Sequence, residues 1–148
     1  MQVIHGRIQG MGEGQIIMRD QSLFIAGTLP GLNDLIADAK VRNNRYSKYA
    51  KTKARWTDII QWSVVAKKME PVSRAWFDFT WYENSRRRDP DNIAAAGRKL
   101  ILDALKESGI ISNDGWNQVA GWSDTFRVEK DNPGVLVIIR ERGCVDAR

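Results

Sequence analysis

The sequence predicts an α+β fold: a mixed β-sheet of about four or five strands with two main helices packed on it. Three stretches carry that expectation. Arg74 to Tyr82 alternates, with Phe77, Phe79 and Trp81 on one side and Trp76, Asp78, Thr80 and Tyr82 on the other, which is strong strand chemistry. Asn92 to about Glu107 follows as an amphipathic helix whose apolar stripe is Ile93, Gly97, Leu100, Ile101, Ala104 and Leu105. Val135 to Ile139 is an unbroken apolar run, as in a central strand.

Taken in order, residues 1 to 22 carry the weakest pattern. Gly6, Gly10, Gly12 and Gly14 punctuate the short apolar pairs Val3-Ile4 and Ile16-Ile17, which suits a loose hairpin or an arm. Leu23 to Ala26 reads as a short strand, and Gly27 to Asn33 as a loop. Asn33-Asp34 is placed to cap a short helix from Leu35. From about Ser47, Tyr49, Trp56, Ile59, Ile60, Ser63 and Val64 recur at three- and four-residue steps, a second helical stripe that Pro71 ends. Trp56, on that stripe, and Trp62 are expected to pack rather than to stack on DNA. Asp78, on the second face of its strand, is expected to be an exposed polar residue, the other reading being support for a metal site. Glu83 is a possible fourth acid.

The slim run Ala94-Ala95-Ala96-Gly97 lets another backbone or a partner subunit approach the first half of the 92–107 helix. Asp103 flanks the stripe as a structural hydrogen-bonder, and Gly109 suits the C′ position. Ile110-Ile111 is expected to form a brief strand carrying Asp114 back towards the helix start. Val119 to Val128 is a strand with a possible bulge at Gly121, and residues 130 to 134 make a turn.

The 148 residues suit a single domain spanning residues 1–148, and 43% hydrophobic content is enough for a core. A net charge of +5 and a pI near 9.6 suit a polyanionic partner. The single cysteine, Cys144, cannot form an internal disulfide and fits a reducing, cytoplasmic setting. No apolar run is long enough to span a membrane, and no signal peptide is visible. With one histidine, His5, a His-rich metal site is excluded, so any metal would take oxygen ligands.

The chemistry concentrates in residues 86 to 116. Arg86, Arg87 and Arg88 lead into Asp89-Pro90-Asp91-Asn92. Pro90 pushes Asp89 out of the α region. Residues two apart in an extended segment point the same way, so Asp89 and Asp91 are expected to converge where the helix begins. Two close carboxylates raise each other's pKa unless a cation sits between them. Hard cations such as Mg²⁺ take one or two carboxylates plus water and phosphate oxygens. Guanidinium groups beside such a site suit a phosphodiester. The plainer reading is that Asp89 or Asp91 caps the helix, since Asp is a favoured N-cap and suits the helix dipole. Asp114 tilts the balance, because capping does not need it.

Residues 74 to 120 resemble the RusA family of Holliday junction resolvases, carried mostly by phages and prophages. The resemblance rests on the strand Trp76-Phe77-Asp78-Phe79-Thr80-Trp81, on Asp89-Pro90-Asp91-Asn92, on the helix segment Arg98 to Leu105, and on Gly109-Ile110-Ile111-Ser112-Asn113-Asp114. Upstream, Gly27 to Asn33 looks like the family's opening strand and loop, so the likeness covers roughly residues 23 to 141. It implies a RusA-like fold and a homodimeric, Mg²⁺-dependent endonuclease acting on branched DNA, a four-way junction above all, in recombination and repair. The metal-site aspartates implied are Asp89, Asp91 and Asp114. Some members have a catalytic lysine four residues after the second aspartate, where this chain has Ala95. Arg98 lies on the helical face of Asp91, and Lys99 has the compact charge that suits one phosphate oxygen, so Lys99 is the expected catalytic substitute.

Residues 42 to 55 hold six basic residues, Arg42, Arg45, Lys48, Lys51, Lys53 and Arg55, and no acid. Ordinary solvated helices mix both signs, so a phosphate-contact surface is expected, with Tyr46 and Tyr49 available for stacking. Arg86, Arg87, Arg88 and Arg98 are expected to join it. The expected reaction is phosphodiester hydrolysis by a metal-activated water. A nuclease for flaps or forks, and a non-catalytic branched-DNA-binding module, are the alternatives.

Overall fold

The computed structural model of the chain describes residues 4–7, 17–43 and 46–143. Arg45 and Cys144, and the side chains of His5, Arg42 and Tyr46, lie outside what it describes. The elements run β1 (Ile4–Arg7), β2 (Ile17–Ala26), α1 (Leu32–Lys40), β3 (Arg42–Asn43), β4 (Tyr46–Ser47), α2 (Lys48–Ala66), β5 (Ala75–Glu83), α3 (Pro90–Glu107), β6 (Val119–Val128) and β7 (Gly134–Glu141). The fold is α+β. Five strands form one mixed sheet in the order β1-β2-β7-β5-β6, and β3 and β4 pair separately. All neighbours in the large sheet are antiparallel except β5 and β6, which run parallel and are joined through α3. A parallel pair needs such a crossover, and the helix supplies it.

Strict alternation builds β5. Phe77, Phe79 and Trp81 are almost fully buried on the helix side, stacked on one another with ring centroids 6.3 and 5.6 Å apart. Leu23 and Ile25 from β2, and Val135, Val137 and Ile139 from β7, extend that face. Against it pack Ile60 and Val64 of α2 and Ile93, Ile101 and Leu105 of α3. Gly97 is what lets α3 lie so close. A Cβ there would sit 2.5 Å from Cζ3 and 2.7 Å from Cη2 of Trp81, so the slim run accommodates an indole ring of the same chain.

Several expectations need amending. Among the described residues the helices are three: beside the two main ones, the short helix expected from Leu35 starts at residue 32 and runs to residue 40 as α1, packed against α2 and α3. Its N-cap is Gly31, whose amide donates to Asp34 Oδ2 at 2.8 Å. The β2 strand begins six residues before Leu23, because its polar residues find distant partners. Arg140 donates to Asp20 Oδ2 at 2.8 Å, and the buried Gln21 carboxamide exchanges two hydrogen bonds with the Glu70 backbone. The α2 helix stops at Ala66, before Pro71, in a turn where Lys68 takes φ 51. Ile110 and Ile111 form no strand. They are buried in the turn after α3, where the Ile110 carbonyl accepts from Val72 N. Gly109 does sit at C′ with φ 77, and β6 does bulge, its register slipping between Val119 and Gly121. Among the described residues no helix is long and apolar enough to cross a membrane.

Candidate functional site

The first turn of α3 is assembled from two distant stretches. Arg88 is clamped by Glu83, with Nε to Oε1 at 2.8 Å and Nη2 to Oε2 at 2.9 Å, and its Nη1 donates to the Leu29 carbonyl at 2.8 Å. The Asn92 side-chain oxygen accepts from Asn33 N at 2.9 Å. Gly31 lies against both side chains, so close that a Cβ there would come within 2.6 Å of Asn92 Nδ2. The loop before α1 is thus pinned onto the start of α3. Arg88, expected to touch DNA, is half-buried and committed to this brace, as is Glu83.

Asp89 is the N-cap residue, extended at φ −71, ψ 145, yet its side chain makes no capping hydrogen bond. Pro90 occupies the first helical position, where its missing N–H costs nothing. The helix therefore starts at residue 90, and Asp91 is already helical. The two-residue alternation expected of an extended segment does not apply, and the two carboxylates open on neighbouring cavities. Asp89 lines one of about 690 Å³, with Ser85, Arg86, Ile93, Phe126 and Arg127 among its walls. Asp91 lines a smaller one with Ala95, Arg98 and Asp124. Pro90 and Phe126 form part of both. Asp91 Oδ1 accepts only from the next amide, Asn92 N, at 3.0 Å. Neither carboxylate has a cationic partner among the described residues, and both are exposed.

Asp114 is not gathered with them. Its Oδ2 lies 3.2 Å from Lys99 Nζ, which also meets Asp103 Oδ1 at 3.0 Å; Asp103 in turn holds Lys53 at 3.2 Å. Lys99 is eight residues beyond Asp91, about 12 Å along the helix axis. Anchoring to Lys99 therefore keeps Asp114 away from the helix start. The hydrogen bond from Lys99 holds the Asp114 carboxyl below the ordinary aspartate value, and the bonds to Asp103 and then Asp114 push the Lys99 ammonium up. Among the described residues, no three His, Cys, Asp or Glu side chains lie close enough to hold a metal ion. A three-aspartate cage does not fit. Asp89 and Asp91, opening on adjoining cavities that share Pro90 and Phe126, could supply at most one or two carboxylates to a Mg²⁺, with water and phosphate oxygens completing its shell.

Other expected contacts are also redistributed. Arg98 Nη1 bonds Asp124 Oδ2 at 2.6 Å, and its guanidinium lies 4.6 Å from the Trp122 ring centroid. Lys48 pairs with Asp38 at 3.4 Å. Arg55 rests over the Trp56 ring, 5.9 Å from its centroid, and Lys51 is exposed. Arg86 and Arg87 are exposed beside Asp89. Tyr49 packs with Leu35, Ala96 and Leu100 rather than standing free to stack. Trp56 is buried as expected, but Trp62 is 75% exposed. Asp78 is not merely exposed: it accepts from Trp76, Ser123 and Arg140 on the open sheet face. Burial pushes its carboxyl up, but those three hydrogen bonds outweigh it and hold the group below its ordinary value.

Asp124 and Phe126 were missed from the sequence. Parallel register pairs Phe79 with Asp124 and Trp81 with Phe126, so both project on the helix side. Asp124 Oδ1 accepts from Trp81 Nε1 at 2.9 Å while its other oxygen holds Arg98. The signal was the alternation Trp122, Asp124, Phe126, Val128, which becomes informative only once the strand is known to lie beside β5.

No protein-family model matches the chain, and no curated protein matches it.

Proposed function

We propose that the protein is a Mg²⁺-dependent endonuclease for branched DNA, with the four-way junction as preferred substrate. The observation that carries this reading is Asp89: it occupies an N-cap position and does not cap. An exposed, unpaired carboxylate two residues from a second one, at the positive end of a helix and beside exposed guanidinium groups, is set up to receive a cation and a phosphate. Asp89 and Asp91 would hold the metal. When bound, it supplies an activated water and neutralises charge building on the phosphoryl oxygens. Arg86 and Arg87 would grip the backbone next to the scissile phosphate, and Lys51 would extend the phosphate track. A two-fold dimer would present two such sites to a two-fold junction and nick it symmetrically. The resemblance of residues 23 to 141 to the RusA family supports the same reading.

Asp114 favours a second reading. Its tie to Lys99 is what a structural acid does, and a non-catalytic branched-DNA-binding module would leave it so. One experiment separates the two. The purified protein is given junction, flap and linear duplex with Mg²⁺. We expect nicking of the junction, abolished in Asp91→Asn with junction binding retained. Near wild-type nicking by that variant would refute the metal role of Asp91; tight junction binding without any nicking by the wild type would establish the binding module.

A further inference from the structure

The cavity beside Asp89 has features that phosphate gripping does not use. Its volume, about 690 Å³, lies within the roughly 300–1,000 Å³ of small-ligand pockets. Pro90, Ile93, Phe126 and Val128 make a largely apolar floor, while Arg86 stands at its wall and Arg127, between Phe126 and Val128, turns its side chain to the other sheet face. Phe126 and Val128 project on the helix side of β6 but remain 37% and 46% exposed, because β6 is the edge strand and α3 does not cover it. With Arg88 neutralised by Glu83, the remaining charges on this side are the Arg86 guanidinium and the Asp89 carboxylate. An aromatic face, apolar walls and a cation within one cavity are the elements by which proteins hold unstacked nucleotides.

We propose that this cavity receives one unstacked nucleotide of the DNA strand, its base lying on Phe126 and its phosphate meeting Arg86. The inference rests on the nuclease reading and deepens it. Drawing a base from the stack is least costly where stacking is already broken, as at a branch point. A pocket adjoining Asp89 therefore selects branched DNA through its ease of distortion rather than through base identity.

The test is photocrosslinking of the full chain, without divalent metal, to a four-way junction carrying 5-iododeoxyuridine at positions flanking the crossover, with mass-spectrometric mapping. A single-stranded hexanucleotide titration runs in parallel. We expect the crosslink on Phe126, its loss in Phe126→Leu, and its retention in Phe126→Trp. Phe126→Leu preserves apolar bulk, so folding is maintained while the aromatic face is removed. Affinity for the hexanucleotide should fall about tenfold in Phe126→Leu, with linear duplex affinity unchanged. Crosslinks confined to the exposed Trp116 or Trp62 would overturn the proposal. So would an equal loss of single-strand and duplex affinity, or a change of oligomeric state in Phe126→Leu, which would make the β6 edge a contact between copies of this chain. Nicking without a crosslink on β6 sinks the pocket alone; the crosslink without nicking supports the pocket and sinks the nuclease reading alone.

Discussion

Gly97→Ala tests the packing that joins the core to the site. In an exposed helix interior, alanine for glycine stabilises by about 1 kcal/mol. At residue 97 the new methyl would meet the Trp81 ring at 2.5 and 2.7 Å, distances that non-bonded carbons do not adopt. The ring cannot readily retreat. It is 1% exposed, it stacks on Phe79 with centroids 5.6 Å apart, and its Nε1 is tied to Asp124 at 2.9 Å. Overpacking of this kind costs about 1–3 kcal/mol. Subtracting the propensity gain leaves a net loss of about 1 kcal/mol, or about 2–4 °C in melting temperature for a chain of this size. Ala95→Gly, exposed on the same helix, calibrates propensity alone and should lose about 1 kcal/mol. Urea unfolding of wild type and both variants measures the two terms. A gain in Gly97→Ala as large as the loss in Ala95→Gly would show Trp81 yielding freely and refute the overpacking.

Three further outcomes follow from individual contacts. Lys51→Gln should flatten the salt dependence of log K for DNA by about 0.9, whereas Lys53→Gln, which breaks the pair with Asp103, should alter stability more than that slope; equal slope changes would refute the distinction. Asp78→Asn should cost about 2 kcal/mol at neutral pH, and it should remove part of the acid sensitivity. The folded-state value of Asp78 is depressed, so its contribution is complete above about pH 3.9 and is lost as pH falls through the lower folded value; parallel acid-unfolding curves for variant and wild type would contradict this. In single-turnover cleavage, Lys99→Ala and Arg98→Ala should each stay within about twofold of wild type, under ~0.5 kcal/mol of barrier, because both cations are already held by carboxylates; a hundredfold loss in Lys99→Ala would restore it as the missing catalytic cation.

What the sequence showed and what it hid differ in kind. Elements with one buried face announce themselves by period, so the β5 alternation and the stripe of α3 were legible almost residue by residue. Gly109 was legible because a helix end needs a residue tolerant of positive φ. Polar residues in structured roles were not. Arg19, Asp20 and Gln21 conceal the first half of β2, because their partners lie 49 to 120 residues away in Glu70 and Arg140. Alternation told which face Asp78 occupies but not that Arg140 and Ser123 cover it. The pairing of Asp89 with Asp91 was legible as sequence, but their divergence into two cavities depended on whether the helix begins at residue 90 or 92.

The cations around α3 decide what the site can be. Five residues there, Arg86, Arg87, Arg88, Arg98 and Lys99, were expected to meet DNA. Arg88 answers Glu83, Arg98 answers Asp124, and Lys99 answers both Asp103 and Asp114. Each pairing neutralises a positive charge while fixing a piece of scaffold: the loop before α1, the β6 strand, and the turn after α3. Arg86 and Arg87 remain exposed, three and two residues before Asp89. Positive charge for a phosphate is thereby concentrated at the first turn of α3, where the unpaired carboxylates also stand. A cation there would bring the backbone to Asp89 and Asp91, whereas a phosphate drawn to Lys99 would have to break an ion-pair network first. On the proposed reading the chemistry would belong to Asp89, Asp91 and the arginines that precede them, while Asp114 is tied to Lys99 behind them.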